Sequence, residues 1–245
     1  HDDIMDKAQL RRGKKTVHEK WDNNIAILSG DTMLVQSYSL LSDLELNIQA
    51  NVYKVFSETA TKVCEGQQLD MDFEQIRNLE ISEYIEMIQK KTSVLLAASF
   101  QIGAIIANAS SEDTLRIYEF GLNLGTAFQL QDDMLDLYGN QSKFGKKIGG
   151  DIISNKKTYL YLKSLSLANS QQEKRLTELF SISNLNDDKK ILEVKNIFDE
   201  VGVLDHIKDQ INHYHNKAQK NLEDLSITNK NNLIDFAKLL LKREI

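Results

Sequence analysis

Proline is absent from the 245 residues, and glycine occurs only 11 times. Proline breaks a helix interior by removing a backbone donor and clashing with the preceding turn, and glycine weakens one, so little here interrupts long helices. The single cysteine, Cys64, excludes an intramolecular disulfide and suits a reducing compartment, which makes a cytoplasmic protein the expectation. No apolar run reaches the ~20 residues that span a bilayer, so no stable membrane insertion is expected. Residues 94–107 come nearest, and Ser99 and Gln101 interrupt them. A basic excess is also missing: the net charge of −6 argues against a general nucleic-acid surface. Neither a strand pattern nor a low-complexity linker occurs.

What is present is helical periodicity. With 41% hydrophobic residues the chain can bury a substantial core as one domain. Residues 1–10 read as the end of a helix whose beginning lies outside the sequence, and residues 11–16 as a mobile loop. Apolar spacing predicts helices over 18–41, over 44–69 with an interruption near Gly66 and Gln67, and over 82–108. The middle of the 82–108 stretch, Val94 to Phe100, is apolar nearly all round and predicts a central, buried position. Ser110 or Ser111 caps a helix from about 112 to Tyr138 that ends at Gly139. Residues 139–150, rich in glycine and lysine, are the candidate lid. Further helices are expected near 155–168, 170–182, 188–200, 204–225 and 229–243. Gly30 is read as a point of close helix packing. His206, His213 and His215 lie in a polar segment and read as solvated surface.

Two stretches carry chemistry. The chain opens His1-Asp2-Asp3-Ile4-Met5-Asp6, and the same D-D-x-x-D pattern returns in Phe128-Gln129-Leu130-Gln131-Asp132-Asp133-Met134-Leu135-Asp136. On a helix the first and last aspartates of each lie one turn apart on one face. Three carboxylates so close repel one another unless a cation lies between them, and hard oxygen donors suit Mg²⁺. One such motif is as readily a solvated acidic face; two are not an accident of composition. Each is followed by a basic, glycine-containing segment, Arg11-Arg12-Gly13-Lys14-Lys15 and Lys143-Phe144-Gly145-Lys146-Lys147, able to approach phosphate. Carboxylates for a metal beside cations for phosphate make a diphosphate site. A bound divalent cation reverses the local sign, so an acidic protein can hold an anionic substrate.

With these motifs the chain resembles the trans-isoprenyl diphosphate synthases, the farnesyl, geranylgeranyl and polyprenyl diphosphate synthases. His1 to Thr16 looks like the family's first aspartate-rich motif with its arginine pair, and Phe128 to Asp136 like the second. The likeness continues through Lys91-Thr92, Gly145-Lys146, Asp151 and Lys156 in the family's order. It implies an all-α, single-domain bundle of long antiparallel helices around a central cavity, with its N-terminal helices outside this sequence. It also implies head-to-tail condensation of an allylic diphosphate with isopentenyl diphosphate, giving a longer all-trans prenyl diphosphate and pyrophosphate. By resemblance Asp2, Asp6 and Asp132 are the foremost metal ligands, with Asp3, Asp133 and Asp136 completing or orienting a cluster of three Mg²⁺ ions between the two motifs. Arg11, Lys91, Lys146 and Lys156 would then contact the allylic diphosphate and Arg12 the isopentenyl side. Thr92 and Gln129 would flank the reacting carbons. Phe100 and Ile102 are candidates to line a tunnel for the growing tail, and Gln67 lies near the pocket. A homodimer is implied.

The likeness has gaps. The family's N-terminal G-K-x-R-type stretch and the residues just before the first aspartate motif do not occur here, and Lys15 stands where the family often has proline. A protein of these residues alone is therefore expected to turn over little. Alternatives are another class I terpenoid enzyme, either a cyclase or a head-to-head synthase, and a non-catalytic helical partner subunit. The second aspartate motif counts against a cyclase, and the intact aspartates of both motifs count against a partner subunit.

Overall fold

A computed structural model describes residues 1–76, 78–139, 148–181, 186–227 and 229–241, and the expected all-α class is borne out. The chain forms two compact units, residues 1–58 and 59–245, with the division falling inside one long helix.

In residues 1–58, helix α1 (Asp2–Met5) is a single turn that carries Asp2 and Asp3. A hairpin follows, β1 (Leu10–Arg11) pairing antiparallel with β2 (Lys14–Lys15). It corrects the expectation of an irregular loop without strands. The cause is the two-residue connection: Arg12 and Gly13 both have positive φ, 52° and 73°, as a type I′ turn requires. Thr16 is buried at the hairpin base, its hydroxyl donating to the Ala8 carbonyl at 2.6 Å. The apolar spacing over 18–41 resolves into two helices, α2 (Val17–Lys20) and α3 (Asn23–Ser39). Asp22 separates them because its carboxylate accepts from the Ile25 N–H at 2.9 Å and starts a new helix. Gly30 does mark a close approach: a Cβ there would lie 2.6 Å from the His1 ring. A 3₁₀ turn (Leu40–Asp43) leads to α4 (Leu46–Phe73).

Residues 59–245 are organised by α7 (Ser111–Tyr138), which Ser110 caps by accepting from the Asp113 N–H at 3.0 Å. Before it come α5 (Ile81–Ile88), a π-helical turn (Gln89–Ser93) and α6 (Val94–Ile106). After it come α8 (Gly150–Ile153), α9 (Tyr159–Leu167), α10 (Ser170–Leu179), α11 (Asp187–Glu200), α12 (Val203–Glu223) and α13 (Asn231–Leu241). One core joins the C-terminal half of α7 (Leu130, Met134, Leu135) to α9 to α12 through residues such as Leu162, Leu176, Val194, Phe198 and Ile207. A second gathers Phe120 and Leu124 of α7 with Ala218, Leu222 and Ala237. Phe100 packs against this second core, edge-on to Phe120 and Phe236 with ring centroids 5.2 and 5.7 Å away.

Three details depart from the periodicity. Helix α4 runs through Gly66 without interruption. Gly66 serves packing instead, since a Cβ there would lie 2.3 Å from the Lys91 backbone nitrogen. The expected single helix over 82–108 contains the π turn, which carries Lys91 and Thr92. Helix α6 is not buried all round: Val94, Ala97 and Ala98 pack on α7, where Gly121 lets the backbones meet, while Leu95 and Ile106 are 57% and 46% exposed.

The Gly66 contact yields a prediction. Gly66→Ala should lower unfolding stability by about 1–3 kcal/mol, because the added methyl meets backbone that cannot rotate away. Urea denaturation measures this, and a variant as stable as wild type would contradict the close approach of α4 to the π turn.

Candidate active site

Within residues 59–245, a cavity of about 200 Å³ opens among α4, α5, the π turn, α7 and the segment after α8. Phe73, Met87 and Ile88 supply its apolar wall. Its polar lining includes Asp70, Lys91, Thr92, Gln129, Asp132, Asp133, Asp151 and Lys156. The second aspartate motif, the lysine–threonine pair and Lys156 are thus brought to one place. The π turn helps present that pair. Its i→i+5 bonding holds an extra residue in the turn, a distortion of the kind that concentrates at functional sites.

The polar groups form two sets. Lys91 Nζ donates to Asp70 Oδ2 at 2.7 Å, both side chains being about four-fifths buried. Beside them, Thr92 Oγ1 donates to Gln129 Oε1 at 3.1 Å, and Gln129 Nε2 donates to Asp133 Oδ1 at 3.1 Å. The Tyr84 hydroxyl donates to the other oxygen of Asp133. Asp133 is 5% exposed, and burial, with the charge of Asp151 nearby, pushes its carboxyl well above the usual range. Burial likewise raises the Tyr84 phenol, with the charge of Asp133 adding to it. Asp132 is half-buried. Asp136 Oδ2, one turn on, accepts from the Asp151 N–H at 3.1 Å.

Local backbone chemistry sets Asp151 and Lys156 beside α7. Helix α8 ends at Asn155, which takes φ = 56° while the Lys156 N–H bonds to the Asp151 carbonyl at 2.9 Å and the Asn155 N–H to that of Ile152 at 3.2 Å. This is the Schellman arrangement, and asparagine is the residue other than glycine that tolerates it. Lys190 of α11, 4% exposed, holds the Asn155 side chain at 2.5 Å. Lys157 turns the other way and donates to the carbonyls of Phe73, Glu74 and Ile76 at 2.9, 3.0 and 2.5 Å, closing the C-terminal end of α4. Burial lowers its pKa from the ordinary lysine value.

In residues 1–58 the first motif has a partner of its own. Arg11 Nε donates to both oxygens of Asp3 at 2.8 and 2.9 Å, and its Nη2 lies 3.2 Å from Asp2 Oδ2. The hydrogen bond it donates to Asp3 raises the Arg11 pKa. The hairpin therefore folds Arg11 back as a counter-ion to the aspartates, a pairing invisible to helical spacing. Asp6 and Arg12 are exposed. Lys146 and most of the candidate lid lie outside the described residues.

Sequence spacing missed Asp70, Tyr84 and Lys157. Asp70 was within reach, one turn along α4 from Gly66. Tyr84 was not, because the π turn shifts the phase between it and Thr92. Gln67 is not part of the cavity wall, and its Nε2 is buried without a hydrogen-bond partner.

The donor set suits a divalent cation. Lining carboxylates Asp70, Glu74, Asp132, Asp133 and Asp151 outnumber Lys91, Lys156 and Lys157, and the ionised form of Asp133 is disfavoured as things stand. Among the described residues no three His, Cys, Asp or Glu side chains converge as a ready cage. That accords with Mg²⁺, which takes one or two carboxylates and completes its shell with water and substrate phosphate.

Lys157→Met should cost about 1–3 kcal/mol of stability by leaving three carbonyls without a donor. Chemical denaturation reads the loss; an unchanged midpoint would show that water replaces the ammonium without penalty.

A sequence model described as polyprenyl synthetase matches residues 1–201. A short chain isoprenyl diphosphate synthase of Methanocaldococcus jannaschii is 40% identical over 190 residues, 77% of this chain and 58% of that protein. The chain therefore spans less than two thirds of that relative's length. A crystal structure of geranylgeranyl pyrophosphate synthase superposes with a TM-score of 0.94 at 47% identity, covering 100% of this chain and 76% of the other. A geranylgeranyl pyrophosphate synthase from Corynebacterium glutamicum, solved in complex with isoprenyl diphosphate and magnesium, gives a TM-score of 0.90 at 26% identity, with 100% and 74% covered.

Proposed function

The chain belongs to the polyprenyl synthetase family, and on that premise we propose that it is a Mg²⁺-dependent trans-prenyltransferase. It joins an allylic diphosphate head-to-tail to isopentenyl diphosphate and releases pyrophosphate. The observation that carries this reading is the cavity in which Lys91, Thr92, Gln129, Asp132 and Lys156 converge. Further support comes from the relatives named for this chemistry and from the Corynebacterium glutamicum structure with magnesium and isoprenyl diphosphate.

In the proposed reaction the allylic C–O bond breaks with its electron pair leaving on pyrophosphate. The alkene of isopentenyl diphosphate then forms the new carbon–carbon bond and one proton is lost. Bound Mg²⁺ supplies charge that stabilises the departing pyrophosphate. Asp2, Asp6 and Asp132 offer oxygens to it, and Asp3, Asp133 and Asp136 complete or orient the set. Lys91 and Lys156, with Arg11 and Lys146, bind the allylic diphosphate, and Arg12 binds the isopentenyl diphosphate. For Arg11 this means exchanging the Asp2 and Asp3 carboxylates for phosphate oxygens once a cation takes those carboxylates. Thr92 and Gln129 present dipoles to the developing allylic cation without capturing it. The protein acts as a homodimer, a reading supported by the exposed apolar residues Leu28, Met33 and Val35 of α3. It works in the cytoplasm; among the described residues no helix is long and apolar enough to cross a membrane.

Asp132→Ala should reduce turnover about 100-fold or more while leaving far-UV circular dichroism unchanged. Labelled isopentenyl diphosphate, Mg²⁺ and several allylic starters give the readout, with the allylic diphosphate alone as control for cyclisation. Normal turnover in the variant would contradict the ligand assignment. Consumption of the allylic diphosphate alone would point to a cyclase.

A further inference from the structure

The four groups Tyr84, Asp133, Gln129 and Thr92 form one continuous chain of hydrogen bonds, and its direction is determined by chemistry at one end. A carboxyl oxygen that receives an O–H or N–H is the acceptor in that bond, and both oxygens of Asp133 receive one. Asp133 has both oxygens engaged, Oδ2 by the Tyr84 hydroxyl and Oδ1 by Gln129. Gln129 must therefore turn its NH₂ to Asp133, which leaves its carbonyl oxygen toward Thr92. Thr92 in turn must donate to that carbonyl, as it does at 3.1 Å. The threonine proton is thereby committed inside the protein, and only the lone pairs of Oγ1 remain for the cavity.

The placement of these groups depends on the π turn. Tyr84 and Thr92 are eight residues apart, which on a regular helix would set them about 80° apart. The wider turn over Gln89–Ser93 holds Thr92 back in phase, so that it and Tyr84 both meet α7. On α7, Gln129 and Asp133 are one turn apart and face the same way. Tyr84 and Asp133 are 3% and 5% exposed, so the anchoring end of the chain is well shielded from solvent, and it borders the same cavity that Thr92 lines.

We infer that Tyr84 and Asp133 are positioning residues that fix the polarity of Thr92, so that an electron-rich oxygen rather than a hydroxyl proton faces the reacting carbon. The inference rests on the prenyl-transfer reading, in which positive charge develops on an allylic carbon. An oxygen dipole already aimed at that charge needs no reorganisation when the bond breaks, whereas a hydroxyl free to rotate does. In this assignment Asp133 serves by holding Gln129, and the open oxygens for a cation come from its neighbours.

A double-mutant cycle tests it. Tyr84→Phe and Thr92→Val should each lower kcat by about 10- to 100-fold, with the KM of both diphosphates and the Mg²⁺ concentration for half-activity within about twofold of wild type. The double variant should be no slower than the slower single one, since both act through the same oxygen. Thr92→Ser, which keeps the hydroxyl, should retain most activity. If Tyr84→Phe does not fold, as judged by its thermal melt, Thr92→Val with Gln129→Leu provides the same cycle nearer the cavity. Multiplicative losses in either cycle overturn the inference, as does a Tyr84→Phe enzyme with wild-type kcat. So does a Tyr84→Phe effect confined to Mg²⁺ requirement, which would make Asp133 a metal ligand. A wild-type protein inert toward every allylic and isopentenyl pair would instead overturn the functional reading and this inference with it.

Discussion

The arrangement turns on an excess of carboxylate charge gathered where water is scarce. Asp132, Asp133 and Asp151 crowd the wall of one cavity, and for Asp133 burial adds to the repulsion. Such a cluster persists only if something balances it. Part of the balance is internal: Tyr84 and Gln129 donate to Asp133, and Lys91 pairs with Asp70. The remainder favours a cation of high charge density brought in with an anionic substrate. The same logic operates in residues 1–58, where Arg11 neutralises Asp2 and Asp3 from a hairpin.

The scaffold serves this electrostatic arrangement by allowing backbones to approach closely. Gly66 places α4 against the π turn, and Gly121 does the same for α6 against α7. Lys157 ties the chain after α8 to the end of α4, and Asn155 with Lys190 sets the turn that presents Lys156.

Much of this was legible in the sequence because it rests on local rules. Absence of proline, apolar spacing and the Ser110 cap yield α7 and α9 to α13 to within a few residues, but neither α8 nor the division of 82–108 into two helices. The D-D-x-x-D pattern and the family likeness single out Lys91, Thr92, Gln129, Asp132 and Lys156, which the structure places around one cavity. What escaped depends on tertiary contact or on backbone details without a strong residue signature. The π turn has no proline or glycine to announce it, so nothing in the spacing sets Tyr84 and Thr92 against the same helix. The hairpin needed Arg12 in a conformation that non-glycine residues seldom adopt, and Gly66 looked like a break because its real function, contact with Lys91, is 25 residues away in sequence. Helix α6 was read as buried because it is apolar on all sides, but composition does not specify which sides have partners.

The most direct test of the central claim is the coupling between cation and diphosphate. Titration of Mn²⁺ as a spectroscopic substitute for Mg²⁺, followed by electron paramagnetic resonance with and without pyrophosphate, measures it. The account predicts weak binding of Mn²⁺ alone, binding tightened about tenfold or more by pyrophosphate, and loss of that tightening in Asp132→Ala. Equal Mn²⁺ affinity with and without pyrophosphate, or coupling that survives the loss of Asp132, would contradict it.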